Sequence, residues 1–177
     1  MKKSILLVAM VLLGTITTMN AQKFEGLQKS PTDIAYAKTD RNAKPEIKVV
    51  YSRPQKKGRE IFGNIVKNDK VWRTGADEAT EIKFFEDVKM GDQNIEAGTY
   101  SLFTIPGEKE WTIIINSDLD SWGAYTYDKS KDVARIKVPA SSGDELEVFS
   151  IAFNKVDKGY HMILGWDTTR VEVPFYM

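Results

Sequence analysis

The chain has no cysteine and only one histidine, His161. The first absence excludes a disulfide framework, a thiolate zinc site and lipid attachment through an N-terminal cysteine. The second excludes a multi-histidine metal centre. A Ser-His-Asp triad would have to use His161, yet no G-x-S-x-G nucleophile elbow occurs. His161 lies in the apolar stretch Tyr160–Trp166 and reads as a sheet-face residue. Phosphate-cradling loops are also missing: there is neither G-x-x-x-x-G-K nor G-x-G-x-x-G, so no nucleotide or other cofactor is expected. Nor is there a surplus of positive charge. The 25 basic side chains are matched by 25 acidic ones, which leaves nucleic acid without an electrostatic footprint.

Against these absences stands one early pattern. Lys2 and Lys3 precede an almost unbroken apolar run, Ile5 to Leu13, followed by polar residues and then Ala21. That is the plan of a secretory signal cut after Ala21. The run is shorter than the ~20 residues that span a bilayer, so no membrane span is expected in the mature chain. Losing Lys2 and Lys3 from the 25 basic residues, and no acidic residue, leaves the mature chain at net −2. The expected location is periplasmic or extracellular. The expected organisation is a signal peptide (1–21), a flexible lead (22–32) and one domain (33–177), a length that needs no covalent staple.

Within that domain the period is two. Strands are expected at Asp33–Lys38, Ile47–Ser52, Glu81–Phe85, Thr99–Ile105, Trp111–Asn116, Arg135–Val138, Glu147–Asn154, Tyr160–Trp166 and Arg170–Phe175. Phe149, Ile151 and Phe153 should share one face, as should Val171, Val173 and Phe175. No stretch after the signal keeps apolar residues at helical spacing over three turns. The expected fold is all-β: an antiparallel β-sandwich or barrel-like fold of about eight or nine strands.

Two segments break the rhythm, Arg53–Asp77 and Ser117–Asp132, and long connections in a compact domain are often functional. Here the chain resembles the family catalogued as domain of unknown function 2911, over roughly residues 30–175. The resemblance is carried by Tyr51-Ser52-Arg53-Pro54, Lys57-Gly58-Arg59, Ile61-Phe62-Gly63 and Val71-Trp72-Arg73-Thr74-Gly75-Ala76. It continues in Ala97-Gly98-Thr99-Tyr100-Ser101-Leu102, Ile105-Pro106, Trp122-Gly123 and Asp132-Val133. Asp77 departs from the family's usual Asn, and Ile34 from a small polar residue. The resemblance implies an exported β domain and brings no activity, substrate or catalytic residue with it.

The candidate ligand-binding residues are Arg59, Trp72, Arg73, Asp77, Glu78, Trp122, Tyr125 and Tyr127. Arg73 offers a planar fork of donors for an anion, the aromatics offer stacking surfaces, and the acids accept hydrogen bonds. Each has a structural alternative. Thr74 with Asp77 fits a capping box opening a short helical turn, which would put Trp72 in the core and Arg73 in an ion pair. Trp122, Tyr125 and Tyr127 suit either a saccharide platform or loop anchors. Asp118-x-Asp120 begins like an EF-hand, but Trp122 holds the fifth position and Lys129 the twelfth, so no metal site is assigned. A carboxylate hydrolase would draw on Asp77 or Glu78 with Asp128 or Asp132. The leading expectation is a non-catalytic envelope module for a small or saccharide-like ligand or a partner protein; a purely structural role is the other alternative.

Overall fold

The computed structural model describes residues 23–177; the signal segment lies outside the described residues. Nine strands follow: β1 (Thr32–Ala37), β2 (Ile47–Ser52), β3 (Thr80–Phe84), β4 (Val88–Met90), β5 (Gln93–Ile95), β6 (Gly98–Ile105), β7 (Glu110–Asn116), β8 (Asp132–Val156) and β9 (Gly159–Tyr176). Among the described residues the one helical element is a 3-10 turn, Lys129–Lys131. Every pairing is antiparallel, and the strands form one open sheet in the order β1-β2-β3-β6-β7-β8-β9-β4-β5. The all-β class and the strand number match expectation. The strand order itself is that of a continuous sheet, with β1 and β5 outermost.

Alternation decides which face is inside. Ile47, Val49 and Tyr51 of β2 are buried while Lys48 and Val50 point outward, and Ile82 and Phe84 of β3 join the same core. Phe149 and Ile151 meet it from β8, Val171, Val173 and Phe175 from β9. Late β8 lies across this core from β2: Tyr51 and Phe149 meet edge to face at 5.8 Å, and the Tyr51 hydroxyl accepts from Ile151 N at 3.0 Å. Arg53 fastens the two parts, donating to Phe149 O at 3.1 Å, Ser150 Oγ at 2.7 Å and Asp33 Oδ2 at 2.8 Å.

Three features of the sheet differ from the sequence expectation. Pro139–Leu146 reads as a break, yet β8 runs through it, because register shifts on either side of Leu146 absorb the irregular residues as bulges. Likewise Tyr160–Trp166 and Arg170–Phe175 are one strand, β9, bent at Asp167 (φ 51°). The bend returns the end of β9 to its start, where Met177 N donates to Lys158 O at 2.9 Å. The hairpin β4–β5, which turns at Gly91 (φ 60°), is absent from the expectation because each arm has only three residues, too few to establish a period.

Candidate functional site

Trp72 lies beside β6, exchanging backbone hydrogen bonds with Thr104 (N to O 2.7 Å, O from N 2.9 Å). Its indole turns into the core, 8% exposed, among Phe62, Trp111, Phe149 and Trp166, and donates to Gly75 O at 3.1 Å. The chain then makes a tight excursion. Thr74 (φ 56°) and Asp77 (φ 60°) are both left-handed, costly for a β-branched residue. The fully buried Thr74 is held by Thr104 Oγ1 at 3.1 Å, and Thr80 closes the base by donating from Oγ1 to Thr74 O at 2.8 Å. The helical turn expected at Thr74–Asp77 is therefore not formed: left-handed backbone at both ends excludes it, and the Thr74 hydroxyl is engaged with Thr104 instead of a helix amide. Gly75 is required by close approach, since a Cβ there would lie 3.0 Å from Ser52 O.

The second irregular segment, 117–131, folds over the outer face of β6 and β7. Buried Asn116 organises it, donating to Asp128 O at 3.0 Å and Asp132 Oδ1 at 2.9 Å and accepting from Asp118 N at 2.9 Å. Tyr127 packs on Phe103 (5.2 Å), donates to Asp132 and accepts from Arg135 at 3.0 Å. Burial, then the neighbouring Asp132 carboxylate, push the Tyr127 phenol pKa up. Asp128 caps the 3-10 turn through Ser130 N at 2.8 Å, and Asp118 pairs with Lys131. The hydrogen bonds from Lys131 and from Ser130 hold the Asp118 and Asp128 carboxyls, respectively, below their ordinary range.

The two segments then meet. Ala79 N donates to Ser121 O at 2.9 Å, Gly123 N donates to Asp77 O at 3.1 Å, and Glu78 pairs with Trp122 between them. This short antiparallel clasp walls a cleft of about 480 Å³ on the outer face of β1, β2, β3 and β6. Three carboxylates (Glu78, Glu81, Asp120) and three hydroxyls (Thr32, Ser52, Ser101) line it, with Val50 and Leu119 as apolar patches. Glu81 stands 3.9 Å from Lys48, and Ser101 donates to Asp118 O; among the described residues Glu78 and Asp120 have no hydrogen-bonding partner for their side chains. Trp122, 61% exposed, shares the Glu78 side of the clasp.

A family model described as a protein of unknown function (DUF2911) matches residues 30–175. The chain belongs to this family. No curated protein and no solved structure matches it. In this member of DUF2911, residues that carried the resemblance meet at the clasp: Ser52 touches Gly75, Ser101 lines the cleft, and Trp122-Gly123 forms one arm.

Of the eight candidates, Arg73, Asp77, Glu78, Trp122 and Tyr125 gather around the clasp. Trp72 and Tyr127 belong to its supports, one in the core and one on Phe103. Arg59 stays within its own segment, donating to Lys56 O at 2.9 Å and Gln55 O at 2.6 Å. Asp128 and Asp132, the partners a carboxylate hydrolase would draw on, are engaged in capping and in the Tyr127–Arg135 network. His161 is half-buried on β9 with Nδ1 against Glu172. Among the described residues no cluster of three His, Cys, Asp or Glu side chains is set to hold a metal ion, and no helix is long and apolar enough to cross a membrane. Sequence reasoning missed Thr32, Ser52, Glu81, Ser101, Leu119 and Asp120. The last two lie within a flagged segment; the others come together only through strand register.

Proposed function

We propose that this DUF2911 protein is an exported, non-catalytic module that binds a small polyhydroxylic, saccharide-like ligand in the cleft beside the clasp. The observation that carries this reading is the lining: uncommitted carboxylates, hydroxyls and small apolar patches in one concavity, with an exposed tryptophan alongside. Carboxylate oxygens accept pairs of ligand hydroxyls, and an indole face covers the C–H face of a sugar ring. The volume lies within the usual range for small-ligand sites, about 300–1,000 Å³. Export rests on the Lys2-Lys3, Ile5–Leu13 and Ala21 pattern. An envelope protein presenting hydroxyl-rich groups is the alternative occupant.

The test is a thermal-shift panel of neutral and amino saccharides on the protein and on Glu78→Gln/Asp120→Asn. A ligand at a hundredfold excess over Kd stabilises the folded state by about 2.7 kcal/mol. The expected outcome is a rise in melting temperature for at least one panel member, lost in the double variant while its unliganded melting temperature is kept. A rise that survives in the double variant would place binding elsewhere, and a flat panel would sink the saccharide reading.

A further inference from the structure

We propose that a second pocket, between the Glu60–Gly63 loop, the β6–β7 turn and the β8–β9 ladder, binds a small amine whose neighbouring oxygen accepts a hydrogen bond from Trp111. The starting observation is the Trp111 indole. Trp111 is 2% exposed, yet its N–H has no hydrogen-bond partner among the described residues. The other two buried tryptophans follow the rule that desolvated donors are satisfied: Trp72 donates to Gly75 O and Trp166 to Glu147 O. Among the described residues the one fully enclosed side-chain nitrogen or oxygen without a partner is Arg73 Nε. The Trp111 nitrogen, also unpartnered, therefore keeps an opening, and Trp111 opens into a pocket of about 430 Å³.

Strand register explains why polar groups collect around that donor. Trp111 is opposite Val138, and both are buried. Ala140 and Ser142 follow Val138 on the same face at the two-residue period, and their partners across the ladder are Val171 and Thr169. The inward face thus passes from Val138 and Val171, through Ala140, to two hydroxyls at the pocket. Neither hydroxyl has a protein partner among the described residues. The Phe62 ring, 5.0 Å from that of Trp111, supplies the apolar wall. The space beside it is open: a Cβ built on Gly63 would meet nothing nearer than Asn68 Nδ2 at 3.7 Å.

The charge of the pocket selects its ligand. Glu60 and Glu108 line it, no lysine or arginine does, and neither carboxylate enters an ion pair among the described residues. Carboxylates accept from an ammonium group, whereas an indole N–H only donates and so requires an oxygen. Phe62 offers a face for the ammonium or the carbons next to it. An amino sugar and an amino-acid amide share this chemistry, a charged amine beside a hydroxyl or carbonyl. The inference stands apart from the saccharide reading, since pocket and cleft share no residue.

The experiment is an NMR titration of the ¹⁵N-labelled protein at about pH 6, where such amines are charged. The probes are glucosamine and, separately, glycinamide; glucose and ammonium chloride at matched ionic strength are the controls. Of the four indole N–H signals, that of Trp111 is the one missing in Trp111→Phe. Should that variant not fold, assignment through the Trp111 backbone amide replaces it. The expected result is a saturable shift of the Trp111 indole signal with glucosamine, glycinamide or both, and none with the controls. In Glu60→Gln/Glu108→Gln, two exposed positions, half-saturation should need at least about tenfold more amine. In Glu78→Gln/Asp120→Asn the response should be unchanged, which separates this pocket from the cleft beside the clasp. The stronger amine tells an amino-sugar ligand from an amino-acid one. The proposal is overturned by no saturable shift with either amine, or by an equal shift with glucose or ammonium chloride. It is equally overturned by a response that is untouched in Glu60→Gln/Glu108→Gln or lost in Glu78→Gln/Asp120→Asn.

Discussion

Trp72 and Trp122 are the same side chain in two physical situations. Trp72 is enclosed by aromatic rings, so Trp72→Ala leaves a cavity and should cost about 3–5 kcal/mol in urea denaturation. Trp122 is open to solvent, and Trp122→Ala should change stability by no more than about 0.5 kcal/mol while weakening saccharide capture. A large loss of stability in Trp122→Ala would make that residue an anchor instead. Tyr160 gives a pH signature. Burial, then its hydrogen bond to Glu46 (2.9 Å), push its phenol up to about 12 from 10.0. The folded state favours the neutral phenol, so this contribution is intact below pH 10 and is lost as pH rises through about 12. Tyr160→Phe should therefore lose less stability than the parent across that window; parallel declines would contradict the assignment. The residues flanking Trp72 were legible as unusual from composition alone. Their left-handed backbone was not, because Thr74 is a residue type that rarely adopts it.

At the scale of elements, the 117–131 segment is held largely by carboxylates. Asp118 and Asp128 titrate below their ordinary 3.8 when folded. A depressed pKa contributes stability that is full above the unfolded value and lost as pH falls through the folded one. Amides of this segment should exchange faster as pH drops below about 3.8, relative to β2 and β3 amides under the same conditions; uniform behaviour would argue against a carboxylate-held clasp. The doubled-back β9 makes a second prediction. Gly159 has φ 149°, and a Cβ there would lie 2.1 Å from Phe175 O. Gly159→Ala should cost roughly 1–3 kcal/mol through overpacking, measured as a lower urea midpoint at unchanged slope. Strands β2 and β3 were readable because their alternation is clean, and β6 and β7 because they are β-branched and aromatic runs bounded by turn residues. The β8 and β9 runs were not, since bulges and a bend let turn-like residues stay within a strand, and β4–β5 is too short to register a period.

For the whole molecule, the class was written in the period of two, but the cleft was not. Thr32 meets Ser52, and Glu81 meets Ser101, only because β1, β2, β3 and β6 are paired in one register. Nothing local in any of those strands marks the outward polar residue as part of a site. The clasp was half legible: both irregular segments stood out, while their direct pairing through Asp77–Ala79 and Ser121–Gly123 did not. The most direct measurement uses the four tryptophans as reporters. Trp72, Trp111 and Trp166 are buried and Trp122 is open, so acrylamide quenching of fluorescence reads mainly Trp122. A saccharide that raises the melting temperature should also shield Trp122 from acrylamide, with both effects saturating at the same concentration. If such a ligand stabilises the fold and leaves quenching unchanged, it binds away from the clasp, and the cleft is not the site.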